Sequence, residues 1–148
     1  MRLRDEMPEL HGGTDWLNSK PITKKDLLNS DPTFIHFWSI SCDLCKKAMP
    51  NLNRIRDTYS DQIKVISIHH PRSEMDKDRR EIRRTASDHG LTEPIIIDNQ
   101  ERLSKAFRLH YVPSYFLFDH SGILRFVQRG NSNTSLLEKR IKRIITNP

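Results

Sequence analysis

Phe34-Ile35-His36-Phe37-Trp38-Ser39-Ile40-Ser41-Cys42-Asp43-Leu44-Cys45-Lys46-Lys47 is the stretch that decides the fold. An apolar, aromatic run stops at Cys42, and a polar pattern of helical period begins there. The chain has two cysteines, and both lie here in C-x-x-C spacing. Thr33–Ser39, apolar on both faces at Phe34, Ile35, Phe37 and Trp38, is expected to be a central covered strand. Leu44, Ala48, Leu52, Ile55 and Tyr59 recur at three- and four-residue steps, which predicts an amphipathic helix with a kink at Pro50. The dithiol therefore sits where a buried strand hands over to a helix, a place where a thiol can become acidic.

Working outward, Asp15–Asn18 reads as a short strand in an N-terminal extension, and Thr23 with Asp26 reads as a helix start. Lys64–Ile68 is a second buried strand. Pro71-Arg72-Ser73 is expected to open a charged helix reaching about His89 and stopped by Gly90. Ile95–Ile97 is a short strand and Arg102–Leu109 a short helix. Ser114–Phe118 and Ile123–Gln128 form a hairpin through Asp119-His120-Ser121-Gly122. Leu136, Leu137, Ile141, Ile144 and Ile145 mark a last helix. This order predicts one α/β domain over residues 1–148, with a mixed sheet and helices on both faces.

The 148 residues carry a net charge of +6, with 25 basic and 19 acidic side chains. The densest basic run, Arg79-Arg80-Glu81-Ile82-Arg83-Arg84, is interleaved with acids and reads as a solvated helix face, so no nucleic-acid partner is expected. No apolar run approaches a membrane span. The charged start, Met1-Arg2-Leu3-Arg4-Asp5-Glu6, lacks the apolar core of a secretory signal, so a cytoplasmic location is expected. In a reducing compartment, a lone C-x-x-C points to catalysis, redox sensing or metal binding rather than to a structural crosslink.

The chemistry of disulfide exchange needs one exposed, acidified thiol and a second thiol within reach. Cys42, at the helix N-terminus, suits the first role, because unpaired N–H groups there stabilise an anion. Such placement brings a thiol pKa from roughly 8.5 to about 7 or below. Cys45, one turn on and expected to be buried, suits the second. In the resulting cycle Cys42 attacks a substrate disulfide, and Cys45 displaces the substrate from the mixed disulfide. Two other readings stay open. A metal chaperone would use both cysteines with a histidine from among His36, His69, His70 and His110. A peroxidase would use Cys42 in the Ser39-Ile40-Ser41-Cys42 setting. Pro113, in Tyr111-Val112-Pro113-Ser114, reads locally as a trans proline opening a strand.

Met7-Pro8-Glu9-Leu10, His36–Cys42, Lys46-Lys47-Ala48-Met49-Pro50 and the Val112-Pro113 step before a Phe-Leu-Phe-Asp strand together resemble the thioredoxin superfamily. The match is to its small thiol-disulfide oxidoreductases of the TlpA/ResA type, and it covers essentially the whole chain. The resemblance implies a thioredoxin fold with a strand-helix insertion within Lys64–Gly90 and the strand after Pro94. It implies a cis Val112–Pro113 peptide that docks substrate, with Trp38 supporting the wall of the site. It also implies protein disulfide substrates, an upstream thiol reductant, a monomer and no cofactor. Three positions depart from thioredoxin. Ser41 replaces the tryptophan before the first cysteine. Asp43-Leu44 replaces Gly-Pro, and the carboxylate beside Cys42 opposes thiolate formation, which favours a reductant. His36 stands where thioredoxins bury an aspartate, either as the base for Cys45 or as a neutral core histidine. The resemblance also offers Glu74, near the insertion, as an acidic neighbour of the site.

Overall fold

The computed structural model describes residues 1–147, so Pro148 of the expected 1–148 span lies outside the described residues. Its strands and helices are β1 (Asp15–Leu17), α1 (Lys24–Leu27), β2 (Thr33–Trp38), α2 (Asp43–Thr58), β3 (Lys64–His69), α3 (Arg79–Asp88), β4 (Ile95–Ile97), α4 (Arg102–Ala106), β5 (Ser114–Phe118), β6 (Leu124–Arg129) and α5 (Ser135–Thr146). The strands form one sheet in the order β1-β4-β3-β2-β5-β6. β2, β3 and β4 run parallel, while β1, β5 and β6 pair antiparallel. Parallel neighbours on one side and a hairpin on the other make β2 the central, fully buried strand that its apolar run predicts.

The period-2 alternation of β2 divides the core. Ile35 and Phe37 join Phe107, Phe116, Phe118, Ile66 and Ile68 on one face, closed by Met7, Leu10, Leu27 and Leu103. Phe34 joins Ala48, Leu52 and Ile55 of α2 and Leu137, Ile141 and Ile144 of α5 on the other face. Trp38, further along that second face, packs with Cys42, Cys45, Met49 and with Ile82 and Ala86 of α3. Helices thus cover both faces of a mixed sheet, which is the thioredoxin-like arrangement expected from the sequence.

The N-terminal extension lies along the hairpin, through a Glu6–Ile123 bridge and a Met7 N–H bond to Gly122 C=O of 2.8 Å. It then crosses to the far edge as β1. Gly13 is required there, because a Cβ would run into the Ile96 side chain. Helix α2 continues unbroken through Pro50.

One expected element is different. The long helix from Pro71 is divided into a short 3-10 turn, Glu74–Lys77, and α3. Asp78 ends the turn and caps α3, accepting from the Arg80 N–H at 2.9 Å. Asp76, on the turn, is rotated inward and buried. A continuous helix would have satisfied the charge periodicity but not these two carboxylates. Within α3, Ile82 and Ala86 face the core while Arg79 and Arg84 pair with Asp15, Glu81 and Asp88 at the surface.

Candidate active site

The parallel strands β2, β3 and β4 end at one edge of the sheet, where ligand sites of open α/β sheets gather. β2 leads through Ser39-Ile40-Ser41 into α2. Cys42 is extended (φ −98°, ψ 105°) and caps the sixteen-residue helix, its Sγ accepting the Cys45 N–H at 3.1 Å. Cys42 and Cys45 are joined as a disulfide with a Cα–Cα separation of 5.3 Å, which one helical turn spans without unwinding. In the reduced protein the same N–H donor and the helix N-terminus favour a thiolate at Cys42.

The expectation of an exposed attacking sulfur is not met in this oxidised state. Cys42 is 3% exposed and Cys45 2%. Two loops close on them: Ile40 and Val112 pack against the cluster that holds both cysteines. The Val112–Pro113 peptide is cis, contrary to the local reading and as the family resemblance implies. Among the described residues, neither the N–H nor the C=O of Val112 has a hydrogen-bond partner, whereas Pro113 C=O accepts from Gly130 N–H at 2.7 Å. Trp38, expected to support the wall of the site, is 1% exposed. It packs against the disulfide and donates its Nε1–H to Ser67 Oγ at 3.2 Å, so it is a wall of the site and not a contact surface.

The loop before Cys42 is held by contacts that the sequence did not announce. Ile40 N–H donates to His69 Nε2 at 3.1 Å, and His69 stands edge-on to Trp38. Burial pushes the His69 imidazolium down to about 4, against the pull of Asp76, so the ring is neutral and Nε2 accepts. Ser41 Oγ donates to Asp76 Oδ2 at 2.8 Å. Arg72 donates through Nε to Ser41 Oγ at 3.0 Å and through Nη2 to Ser41 C=O at 2.7 Å. Ser41 replaces the thioredoxin tryptophan, and the insertion clamps it instead. Glu74 does not take part: it is exposed and pairs with Lys77, and the acidic neighbour of the site is Asp76.

His36 lies between Phe34 and Trp38 on the face of β2 that carries the disulfide. Its Nε2 is 3.3 Å from Glu93 Oε2, and Glu93 Oε1 accepts from Arg56 Nη1 at 2.8 Å. Glu93 has no local sequence signal, because it stands 57 residues from its partner.

The four histidines weighed as metal ligands are dispersed. His69 is used by Ile40. His70, on the opposite face of the sheet, meets Ser104 Oγ at 2.8 Å, and His110 is exposed near Tyr111. Among the described residues no group of three or more His, Cys, Asp or Glu side chains is arranged to hold a metal ion.

Comparison with known proteins agrees with this geometry. Residues 4–127 match the model of the AhpC/TSA family. The chain is 49% identical over 145 residues to the thiol-disulfide oxidoreductase YkuV of Bacillus subtilis (strain 168), covering 98% of this chain and 97% of that protein. It is 27% identical over 114 residues to the thiol-disulfide oxidoreductase ResA of Geobacillus kaustophilus (strain HTA426), covering 75% of this chain and 62% of ResA. The solution structure of a thioredoxin-like protein in the oxidised form, 49% identical, superposes with a TM-score of 0.91 over 99% of this chain and 98% of that one. A sequence match over most of the chain, with the cysteine pair joined at the head of α2, leads to one conclusion: the chain belongs to the AhpC/TSA family and is a thiol-disulfide oxidoreductase built on the C-x-x-C pair Cys42 and Cys45.

Proposed function

We propose that the protein reduces disulfides in protein substrates, with Cys42 as the attacking thiolate and Cys45 as the resolving thiol. The observation that carries this reading is the Cys45 N–H donated to Cys42 Sγ at the head of α2. It singles out Cys42 as the sulfur whose anion is stabilised. Cys42 attacks a substrate sulfur, and the substrate's other sulfur leaves as a thiolate. Cys45 then attacks Cys42 Sγ, closes the intramolecular disulfide and releases the second substrate thiolate. The pair gives up two electrons, which an external thiol reductant must restore.

His36 is the base for Cys45 in this reading, since it lies on the same strand face. The unpaired backbone of Val112, packed against the cysteine cluster, is the docking edge for an extended substrate segment, with Pro113 fixing the turn. Asp43 beside Cys42 opposes an extremely stable thiolate and supports a reductant over a strong oxidant. The reading carries with it a monomer acting in the cytoplasm. Among the described residues no helix is long and apolar enough to cross a membrane.

The test is a redox titration of the Cys42–Cys45 pair against dithiothreitol and glutathione, followed by the fluorescence of Trp38, together with turnover of a protein disulfide. A reversible transition near about −270 mV is expected for a reductase, and one near about −120 mV would mark an oxidant. Peroxide consumption without a disulfide acceptor would replace the reading with a peroxidase.

A further inference from the structure

Three ionisable side chains from separate parts of the chain, two of them buried and one partly exposed, form a row on the disulfide face of β2. His36 and Glu93 meet through Nε2 and Oε2, and both side chains are 3% exposed. Arg56 reaches in from α2, whose first turn carries the cysteines, and donates Nη1–H to Glu93 Oε1. Arg56 is itself fixed by Asn53 Oδ1, Gly90 C=O and Asp57. A buried carboxylate is costly unless paired and hydrogen-bonded, so a row this complete has a defined geometry.

The row determines which nitrogen of His36 carries hydrogen. Burial alone would raise the Glu93 carboxyl, but the hydrogen bond and charge of His36 and the hydrogen bond from Arg56 outweigh it and hold the group down to about 2. An ionised carboxylate only accepts. The hydrogen between His36 and Glu93 therefore sits on Nε2, and in the neutral ring Nδ1 holds the available lone pair. The other titratable groups facing His36 do not compete. Tyr115, directly across on β5, is buried with its hydroxyl unpartnered, and burial pushes its phenol well up. From α2 comes Arg56, whose charge Glu93 and Asp57 already take up.

We propose that Glu93, anchored by Arg56, is a positioning residue of the exchange reaction: it fixes the His36 tautomer so that Nδ1 takes the proton from Cys45 Sγ. This rests on the reading of His36 as the base. In the mixed disulfide, Nδ1 accepts the Cys45 proton and the new thiolate attacks Cys42 Sγ. The Cys42–Cys45 bond forms and the bond from Cys42 to the substrate sulfur breaks. The substrate leaves as a thiolate and takes up the proton from the imidazolium. The cysteine pair is oxidised by two electrons and the substrate disulfide is reduced by two.

The test is single-turnover reaction of the reduced protein with dithiobis(nitrobenzoate). The first coloured thiolate reports attack by Cys42, and the second reports resolution by Cys45. Glu93→Gln is expected to slow the second release by about tenfold or more near pH 7 and to change its pH profile, leaving the first release unchanged. The glutamine amide can donate to Nε2 and so admits the wrong tautomer. Glu93→Asp should restore most of the rate. Arg56→Gln, at a partly exposed side chain, should slow the second release in the same direction and serves if Glu93→Gln does not fold. In a His36→Ala background, Glu93→Gln should have no further effect. The proposal is overturned if Glu93→Gln leaves the rate and pH profile of the second release unchanged, or slows it equally without His36. If His36→Ala alone leaves the second release unaffected, the underlying reading of His36 is what fails, and the two failures are told apart.

Discussion

On one face of β2, Ile35 and Phe37 sink into a dry cluster in which Phe37, Phe107, Phe116 and Phe118 meet edge to face at centroid separations of 5.1 to 6.2 Å. On the other face of the same strand, His36 and Trp38 share a layer with a disulfide, a carboxylate and a guanidinium. One residue of register separates the two. The aromatic cluster derives its value from area and shape. On the reactive face the buried carboxylate of Glu93 is kept by partners from elsewhere in the chain, His36 and Arg56. The aromatic cluster and the chemistry are therefore carried on opposite sides of one strand, and changes on each side should be read out differently.

The largest expected effect is on the reactive face. Cys42→Ser should abolish turnover of disulfides while far-ultraviolet circular dichroism retains the folded spectrum, because the disulfide joins residues one helical turn apart and holds no distant segments together. On the aromatic face, Phe107→Ala should cost about 3–5 kcal/mol in urea denaturation by removing a fully buried ring. Exchange rates per folded molecule should stay the same. A catalytic defect in that variant would mean that the two faces are coupled.

Acid titration sharpens the contrast. The Glu93 carboxyl is held down to about 2 in the folded protein, against roughly 4.3 in an unfolded chain. A depressed folded value contributes stability that is fully present above the unfolded pKa and is lost as pH falls through the folded one. Wild-type stability should therefore decline between about pH 4.3 and 2 by as much as about 3 kcal/mol on account of this group. Glu93→Gln should show a correspondingly shallower acid limb in denaturant unfolding across that range. The smallest effect belongs to Glu138. Arg54 and Tyr59 hold its carboxyl down to about 2, but Arg54 is half exposed. Solvent screening should keep the cost of Glu138→Gln below about 1 kcal/mol by the same assay.

The comparison of faces also shows what a sequence can announce. The central strand, α2 and the cysteine pair were legible because each is written in consecutive residues: an apolar run, a helical period, a C-x-x-C at their junction. His36 was legible as a position, six residues before Cys42. Its partner was not, because Glu93 arrives from the loop before β4 and Arg56 from the middle of α2, and a long-range pair leaves no periodicity. The same holds for the Ser41 clamp. Arg72 and Asp76 looked like part of a charged helix until the chain folded Asp76 inward to meet the Ser41 hydroxyl. The burial of Cys42 was equally hidden, since Ile40 and Val112 approach it from two loops.

The most direct test of the account is to trap the intermediate. Cys45→Ser protein, reduced and mixed with a protein disulfide, should accumulate a stable covalent adduct that peptide mapping by mass spectrometry assigns to Cys42. Cys42→Ser protein should form little or none. An adduct that forms readily at Cys45 in the Cys42→Ser protein, and fails to form in Cys45→Ser, would reverse the two roles and contradict the account.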